Sequence, residues 1–174
     1  DTSETILHGL GDIHVDLAIE RIARKFDVNL DTALPSIPYR ETIGGKTSVS
    51  YKHRKQSGGR GQYGHVVLEI SPGETGKGIV FSSKVVGGNV PKDFIPAVEK
   101  GIRNAAIGGV VAGYPVVDVA VKLTDGSSHS VDSSGMAFEI AGSMGFRQGV
   151  RDARPTLLEP VMKLKILIPD DSAG

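Results

Sequence analysis

The sequence has no cysteine and no tryptophan, and its aromatic residues (four Tyr, five Phe) make up only 5% of 174 residues. Without thiols there is no disulfide scaffold, no thiolate metal site and no cysteine nucleophile, and a reducing compartment fits. With few aromatics, Leu, Ile, Val and Ala must fill the interior; a hydrophobic content of 39% is enough for a packed core. No run approaches the roughly 20 apolar residues that a membrane helix needs. The start, Asp1-Thr2-Ser3-Glu4, lacks the basic-then-apolar order of a signal peptide. It also lacks Met and leads almost at once into a strand-like run, which reads as a piece of a longer protein. Net charge is absent as well: 20 basic residues balance 20 acidic ones. The length allows one domain, or one domain with fragments of others. There is no internal repeat and no low-complexity tract.

Charge is nevertheless unevenly placed. Between Glu41 and Glu69 there is no acidic residue, while Lys46, Lys52, Arg54, Lys55 and Arg60 are basic. Within that stretch, Lys55-Gln56-Ser57-Gly58-Gly59-Arg60-Gly61-Gln62-Tyr63-Gly64-His65 holds four glycines among large hydrogen-bonding side chains. Glycine permits close backbone approach to a partner. A positive patch on a neutral chain is what a phosphate-rich partner would meet.

In chain order, Thr5–Leu10 reads as a strand. Val15, Ile19, Ile22 and Phe26 then repeat at helical spacing, with Asp12 as N-cap or first-turn acid and Arg24-Lys25 at the C-terminal dipole. Val28–Asp31 alternates like a strand. Pro35 and Pro38 mark a linker. Thr47–Lys55 and His65–Ile70 read as strands joined by the glycine loop, and Ile79–Val86 as a third. Asn89 is placed to cap a helix whose stripe is Phe94, Val98, Ile102 and Ala105, ended by Gly108-Gly109. Val116–Leu123 is apolar enough to be a central strand, and Asp125–Asp132 a polar loop. Ser133 or Ser134 opens a second helix with Ala137, Ile140, Ala141 and Met144 inward. Pro155 and Pro160 bracket a break before a last strand, Val161–Ile168. The middle of the chain, about Arg40 to Leu157, is thus an α+β unit of four strands and two helices.

Gly59-x-Gly61-x-x-Gly64 matches a nucleotide-loop pattern, and Val119-Ala-Val-Lys122 resembles a kinase lysine strand. A strand rather than a helix follows the glycines, a whole helix separates the two motifs, and there is no Walker lysine, so a nucleotide site is rejected. His8, His14, His53, His65 and His129 show no ligand spacing for zinc. Asp125, His129, Asp132 and Ser133 crowd one loop, but sequence proximity does not make a triad; Asp132-Ser133-Ser134 reads as a helix cap.

Several motifs together resemble a known family. They are Gln56–His65, Val86-Gly-Gly-Asn-Val-Pro91 with Phe94–Gly101, Gly113-Tyr-Pro-Val-Val-Asp118, and Asp125–Phe138. In this order they are similar to the fourth domain of bacterial-type elongation factor G. His8-Gly-Leu-Gly-Asp-Ile-His14 resembles the end of its third domain and Leu158-Glu-Pro-Val-Met162 the entry to its fifth. The resemblance implies three parts: 1–38 from the third domain, 39–157 the fourth, and 158–174 the first strand of the fifth. It implies a strand–helix–strand piece of a ferredoxin-like domain, then a four-stranded sheet with two helices. That second part would have the fold of a ribosomal protein's second domain, with a left-handed βαβ crossover, against the usual hand.

The family is a translational GTPase that moves tRNA and mRNA through the ribosome. The resemblance implies that the GTPase domain, with its GTP and magnesium, lies outside this chain. This chain would then hold no cofactor or metal and perform no catalysis itself. Its partners would be rRNA, tRNA and mRNA at the decoding centre and the parent's other domains, with no membrane and no small-molecule substrate. The compartment would be a bacterial cytoplasm, or else a mitochondrial or plastid matrix. Two loops would form the contacting tip. One carries Ser57, Gly58, Gly59, Arg60, Gly61, Gln62, Tyr63 and His65; the other carries Ser128, His129 and Ser130. Ser128 stands where an aromatic is usual and Ser130 where an acid is usual. Gly135 replaces a glutamate that would complete a capping box with Asp132, which predicts a helix start weaker by on the order of 1 kcal/mol. These departures raise a recycling paralogue as the alternative within the family. A free-standing ribosomal-protein-like RNA-binding module is the alternative outside it, and an enzyme of the same fold is third.

Overall fold

The computed structural model describes residues 4–56, 59, 61–163 and 165. Packing divides the chain into two units, Asp1–Pro38 and Tyr39–Gly174. In the first, helix α1 spans Asp12–Phe26, with Asp12 in its first turn and Arg24 and Lys25 in its last, as the helix dipole favours. Gly11, not Asp12, is the N-cap, and having no side chain it supplies no cap bond. Val15, Ile19 and Ile22 are half-buried, but Phe26 is 61% exposed and carries Lys25 Nζ 5.3 Å from its ring centre. The strands expected at Thr5–Leu10 and Val28–Asp31 do not form. Two short runs with no further strand beside them are too few to sustain a ladder. The ends of the unit are joined instead by Glu4, whose carboxylate accepts from the Ser36 N–H at 3.0 Å and its hydroxyl at 2.6 Å.

The second unit contains β1 (Arg40–Ile43), β2 (Thr47–Lys55), β3 (Gln62–Pro72) and β4 (Ile79–Ser83), then a 3-10 turn (Lys92–Phe94). It continues with α2 (Ile95–Ile107), β5 (Val119–Ser127), α3 (Gly135–Asp152) and β6 (Pro155–Leu158). Four strands make one sheet in the order β2-β3-β5-β4. β2 and β5 both run antiparallel to β3, while β4 is parallel to β5 and reaches it through α2. This is the mixed α+β architecture the sequence implied.

Alternation explains which face is covered. Val66, Leu68 and Ile70 of β3, with Val49 of β2 and Val119, Val121 and Leu123 of β5, turn one face toward the helices. Val98, Ile102 and Ala105 of α2 and Phe138, Ala141, Phe146 and Val150 of α3 close the core. The opposite face is open. Ala137 and Ala141 lie inward as expected, but Met144 is exposed, and Gly142, Gly145 and Gly149 complete the buried face of α3. Glycines do not register in a hydrophobic count, yet here they mark where backbones meet. A Cβ on Gly101 of α2 would collide with the Glu139 carbonyl oxygen, and one on Gly142 would lie 2.6 Å from that of Val98.

Other boundaries move for local reasons. Asn89 does not cap α2; its Nδ2 donates to Asp125 Oδ1 at 2.9 Å, and the helix is entered through the 3-10 turn after Pro91. β4 stops at Ser83, short of Val86. β5 begins at Val119 rather than Val116 and runs on to Ser127, taking in residues expected to be loop. A bulge explains the extension. The register with β3 shifts between Val67 and Leu68, leaving Thr124 as an extra residue, with its Oγ1 donating to Val67 O at 3.2 Å. The bulge resets the alternation, so Asp125 and Ser127 face the open side. Pro155 begins β6, which pairs with β1 where a break was expected; proline is tolerated at the first residue of a strand. The last strand expected, Val161–Ile168, falls partly outside the described residues, and residues 161–163 and 165 are irregular.

At the base of the sheet, Glu41 is buried, with 1% exposure. Its Oε2 accepts from the N–H groups of Val110 and Val111 at 2.9 and 3.0 Å, and its Oε1 from those of Ala112 and Tyr114 at 2.7 and 3.1 Å. Burial alone would raise its pKa. The four amide donors outweigh that effect and hold the carboxyl below its usual range.

Candidate nucleic-acid interface

At the other end of the sheet, the last paired residues of the β2–β3 hairpin are Lys55 and Gln62. Ser57, Gly58 and Arg60 of its loop lie outside the described residues, and Gly59 stands between them. Across from this loop, β5 ends at Ser127, and Ser128, His129 and Ser130 follow before α3. Ser134 caps that helix, accepting from Ala137 N–H at 3.2 Å. The capping-box argument placed on Asp132 and Gly135 therefore does not apply, because the cap lies two residues further on and Asp132 is engaged elsewhere.

Asp132 joins the two loops. Its Oδ1 accepts from Gly61 N–H at 3.0 Å, and its main-chain oxygen accepts from Tyr63 N–H at 2.9 Å. Ser133 Oγ donates to Tyr63 O at 2.9 Å and accepts from His129 N–H at 2.8 Å. Close approach is required here. A Cβ on Gly61 would lie 2.9 Å from Asp132 Cγ, and one on Gly64 would lie 2.7 Å from the Ala137 carbonyl oxygen at the start of α3. The expected site residues Gly61, Gln62, Tyr63 and His129 are thus brought together over a sequence separation of about 70 residues.

Behind the loops, side chains of the hairpin interlock. Gln62 Oε1 meets His53 Nε2 at 2.9 Å. On the open face, Ser127 Oγ contacts both Tyr63 Oη at 2.8 Å and His65 Nδ1 at 2.9 Å, while His65 Nε2 reaches Ser50 Oγ at 2.9 Å. His65 is therefore a strut beneath the tip. Lost solvation and the Lys52 charge push its pKa down, with Asp125 opposing, so the neutral imidazole is favoured. Exposed Lys52 and Arg54 stand on the same open face, opposite His65 and Tyr63 in register. Side-chain hydrogen bonding from Asn89, then the Gly126 N–H, lowers the Asp125 pKa.

The crowded loop Asp125–Ser133 forms no nucleophilic relay, since Ser133 Oγ meets the backbone of His129 and not its ring. Among the described residues no cluster of three or more His, Cys, Asp or Glu could hold a metal ion, and no helix is long and apolar enough to cross a membrane. Asp132 and Ser133 lie outside the residues that the resemblance assigns to the tip. Their crowding near His129 was the available signal, and it pointed to a cap because the loop opposite is distant in sequence.

Comparisons with known proteins identify the domains. The family model described as elongation factor G, domain IV matches residues 35–154, and that of elongation factor G, domain III matches residues 1–33. A crystal structure of a protein from Thermus thermophilus is similar at 39% identity with a TM-score of 0.77, over 86% of this chain and 22% of that one. The chain therefore spans about a fifth of the length of that relative. With a matched fold and a matched domain order, the chain belongs to the elongation factor G family as a domain III–IV segment of a translation elongation factor.

Proposed function

We propose that this chain is the part of a ribosomal translocase that reaches into the decoding centre and holds tRNA and mRNA in register as they move. The observation that carries the reading is the tip itself. Two remote loops are tied together at the end of a sheet about 30 Å long, at roughly 3.3 Å per strand residue. The tip offers donors: the Gln62 amide and the His129 ring, with Lys52 and Arg54 below. Such groups meet phosphates, ribose hydroxyls and base edges of RNA. A rigid sheet carrying short loops suits a lever better than a pocket enzyme. GTP and magnesium belong, in this reading, to a domain of the parent outside this chain. The chain's partners are rRNA, tRNA and mRNA together with the parent's other domains, in a bacterial cytoplasm or an organelle matrix.

The test uses the full-length factor. His129→Ala and Gln62→Ala should each slow tRNA–mRNA movement by about tenfold, the equivalent of one or two hydrogen bonds, with GTP hydrolysis left near wild type. Movement at the wild-type rate would overturn the assignment. Ser128, Ser130 and Gly135 favour a second reading, a recycling paralogue. In that case the same variants would slow subunit splitting and not translocation.

A further inference from the structure

We propose that Asp132 is a positioning residue: with Ser133 it locks the two tip loops into one unit and orients the His129 ring so that its neutral form carries the hydrogen on Nε2 and presents Nε2–H outward. The part concerning what Nε2–H meets rests on the RNA-contacting reading above; the lock itself does not.

The hydrogen bonds define the lock. One side chain and one main-chain oxygen of Asp132 take the N–H groups of Gly61 and Tyr63, and Ser133 Oγ bridges Tyr63 O to His129 N–H. Ser133 N–H returns to His129 O at 3.2 Å, closing the turn on itself. Inside that turn, His129 Nδ1 faces two donors, the N–H groups of Val131 at 3.3 Å and Asp132 at 3.2 Å. A ring nitrogen with two N–H groups aimed at it must hold the lone pair, so in the neutral ring the hydrogen resides on Nε2. The competing arrangement, Nδ1–H donating to Asp132 Oδ2, is 3.5 Å long, beyond ordinary hydrogen-bond length. It would also turn Nδ1–H against both backbone donors. The His129 side chain is 53% exposed, and the Tyr63 ring, 6.2 Å away and tilted by 52°, flanks it. Nε2–H has no partner among the described residues.

The chemistry of the occupant follows. A neutral ring fixed this way is a donor at its outer nitrogen, so it selects a hydrogen-bond acceptor: a phosphate or ribose oxygen, or an acceptor on a base edge. Holding the turn before contact spares the ordering cost that a free loop would incur on binding.

The experiment is two-bond 1H–15N correlation on the whole chain labelled at histidine, at a pH where the ring is neutral, with amide exchange measured on the same samples. Wild type should show His129 protonated on Nε2 and not on Nδ1. Asp132→Ala should mix the tautomers and speed exchange at the Gly61 and Tyr63 amides by roughly fivefold to tenfold. Asp132→Asn keeps an oxygen acceptor for Gly61 N–H and should restore both readouts. An Nδ1-protonated ring in wild type overturns the proposal. So does an Asp132→Ala variant with unchanged exchange and ring state, or an Asn variant that behaves like Ala, which would assign the effect to charge instead of acceptor geometry. If the lock is found but His129→Ala translocates normally, the RNA-contacting reading fails and the lock stands.

Discussion

Two carboxylates hold loops at opposite ends of the same sheet, and they do so under different conditions. Glu41, at the base, is 1% exposed and takes four backbone amides of the 110–114 loop. Asp132, at the tip, has a side chain 29% exposed and takes one amide through that side chain, that of Gly61. A buried anion must have its lone pairs filled by protein, because an unpaired one costs several kcal/mol. A half-exposed anion that loses its partner is met by water. The base clamp is therefore a fixed support, whereas the tip clasp can be rearranged at low cost when a partner arrives. The same side-chain chemistry does two jobs, and burial separates them.

The largest test of this contrast is Glu41→Ala. It leaves four amides without their acceptor, one in a buried bond and three in part-buried ones, and should cost about 3 kcal/mol or more of unfolding free energy by urea denaturation. Asp132→Ala should cost less than about 1 kcal/mol. Equal costs, or a reversed order, would break the comparison.

Acid titration should give an intermediate effect. Glu41 has a folded-state pKa held below its unfolded value of about 4.3. Its contribution is therefore fully present above the unfolded value and is lost as pH falls through the folded one. Glu41→Gln should be less stable than wild type at pH 7 and lose less stability on acidification, so the two denaturation midpoints converge as pH falls below the unfolded value. Parallel pH curves would show that the charge of Glu41 does not support the base.

A small effect sharpens the tip side. Ser134→Ala removes the side-chain cap of α3 and should cost about 1 kcal/mol. Because the cap begins two residues after Asp132, amide exchange across 129–134 should rise in this variant while the 110–114 amides stay protected. Faster exchange in both places would mean that the ends are not independent.

Much of the body was legible along the chain. The β2–β3 hairpin, the stripe Val98–Ile102–Ala105 and the serine cap of α3 each follow from alternation, helical spacing or a capping residue within a few positions. Readings failed where the deciding partner was remote. Asn89 has the chemistry of a cap, but Asp125 competes for it from β5. β5 seemed to end at its first polar residues because a bulge shifts which residues face inward. Gly142, Gly145 and Gly149 carry no apolar signal, yet they line the buried face of α3.

The tip divides in the same way. Composition marks the glycine loop and its basic flank, and motif order points to the loop bearing His129. Nothing local announces that Gly61 and Asp132, 71 positions apart, share a hydrogen bond, or that Glu41 holds amides 69 to 73 positions away. Local patterning sets hairpins, helices and caps because each depends on neighbours within one or two turns of chain. The two clamps, the bulge and the orientation of the His129 ring depend on which strands lie side by side, and only the packed sheet decides that.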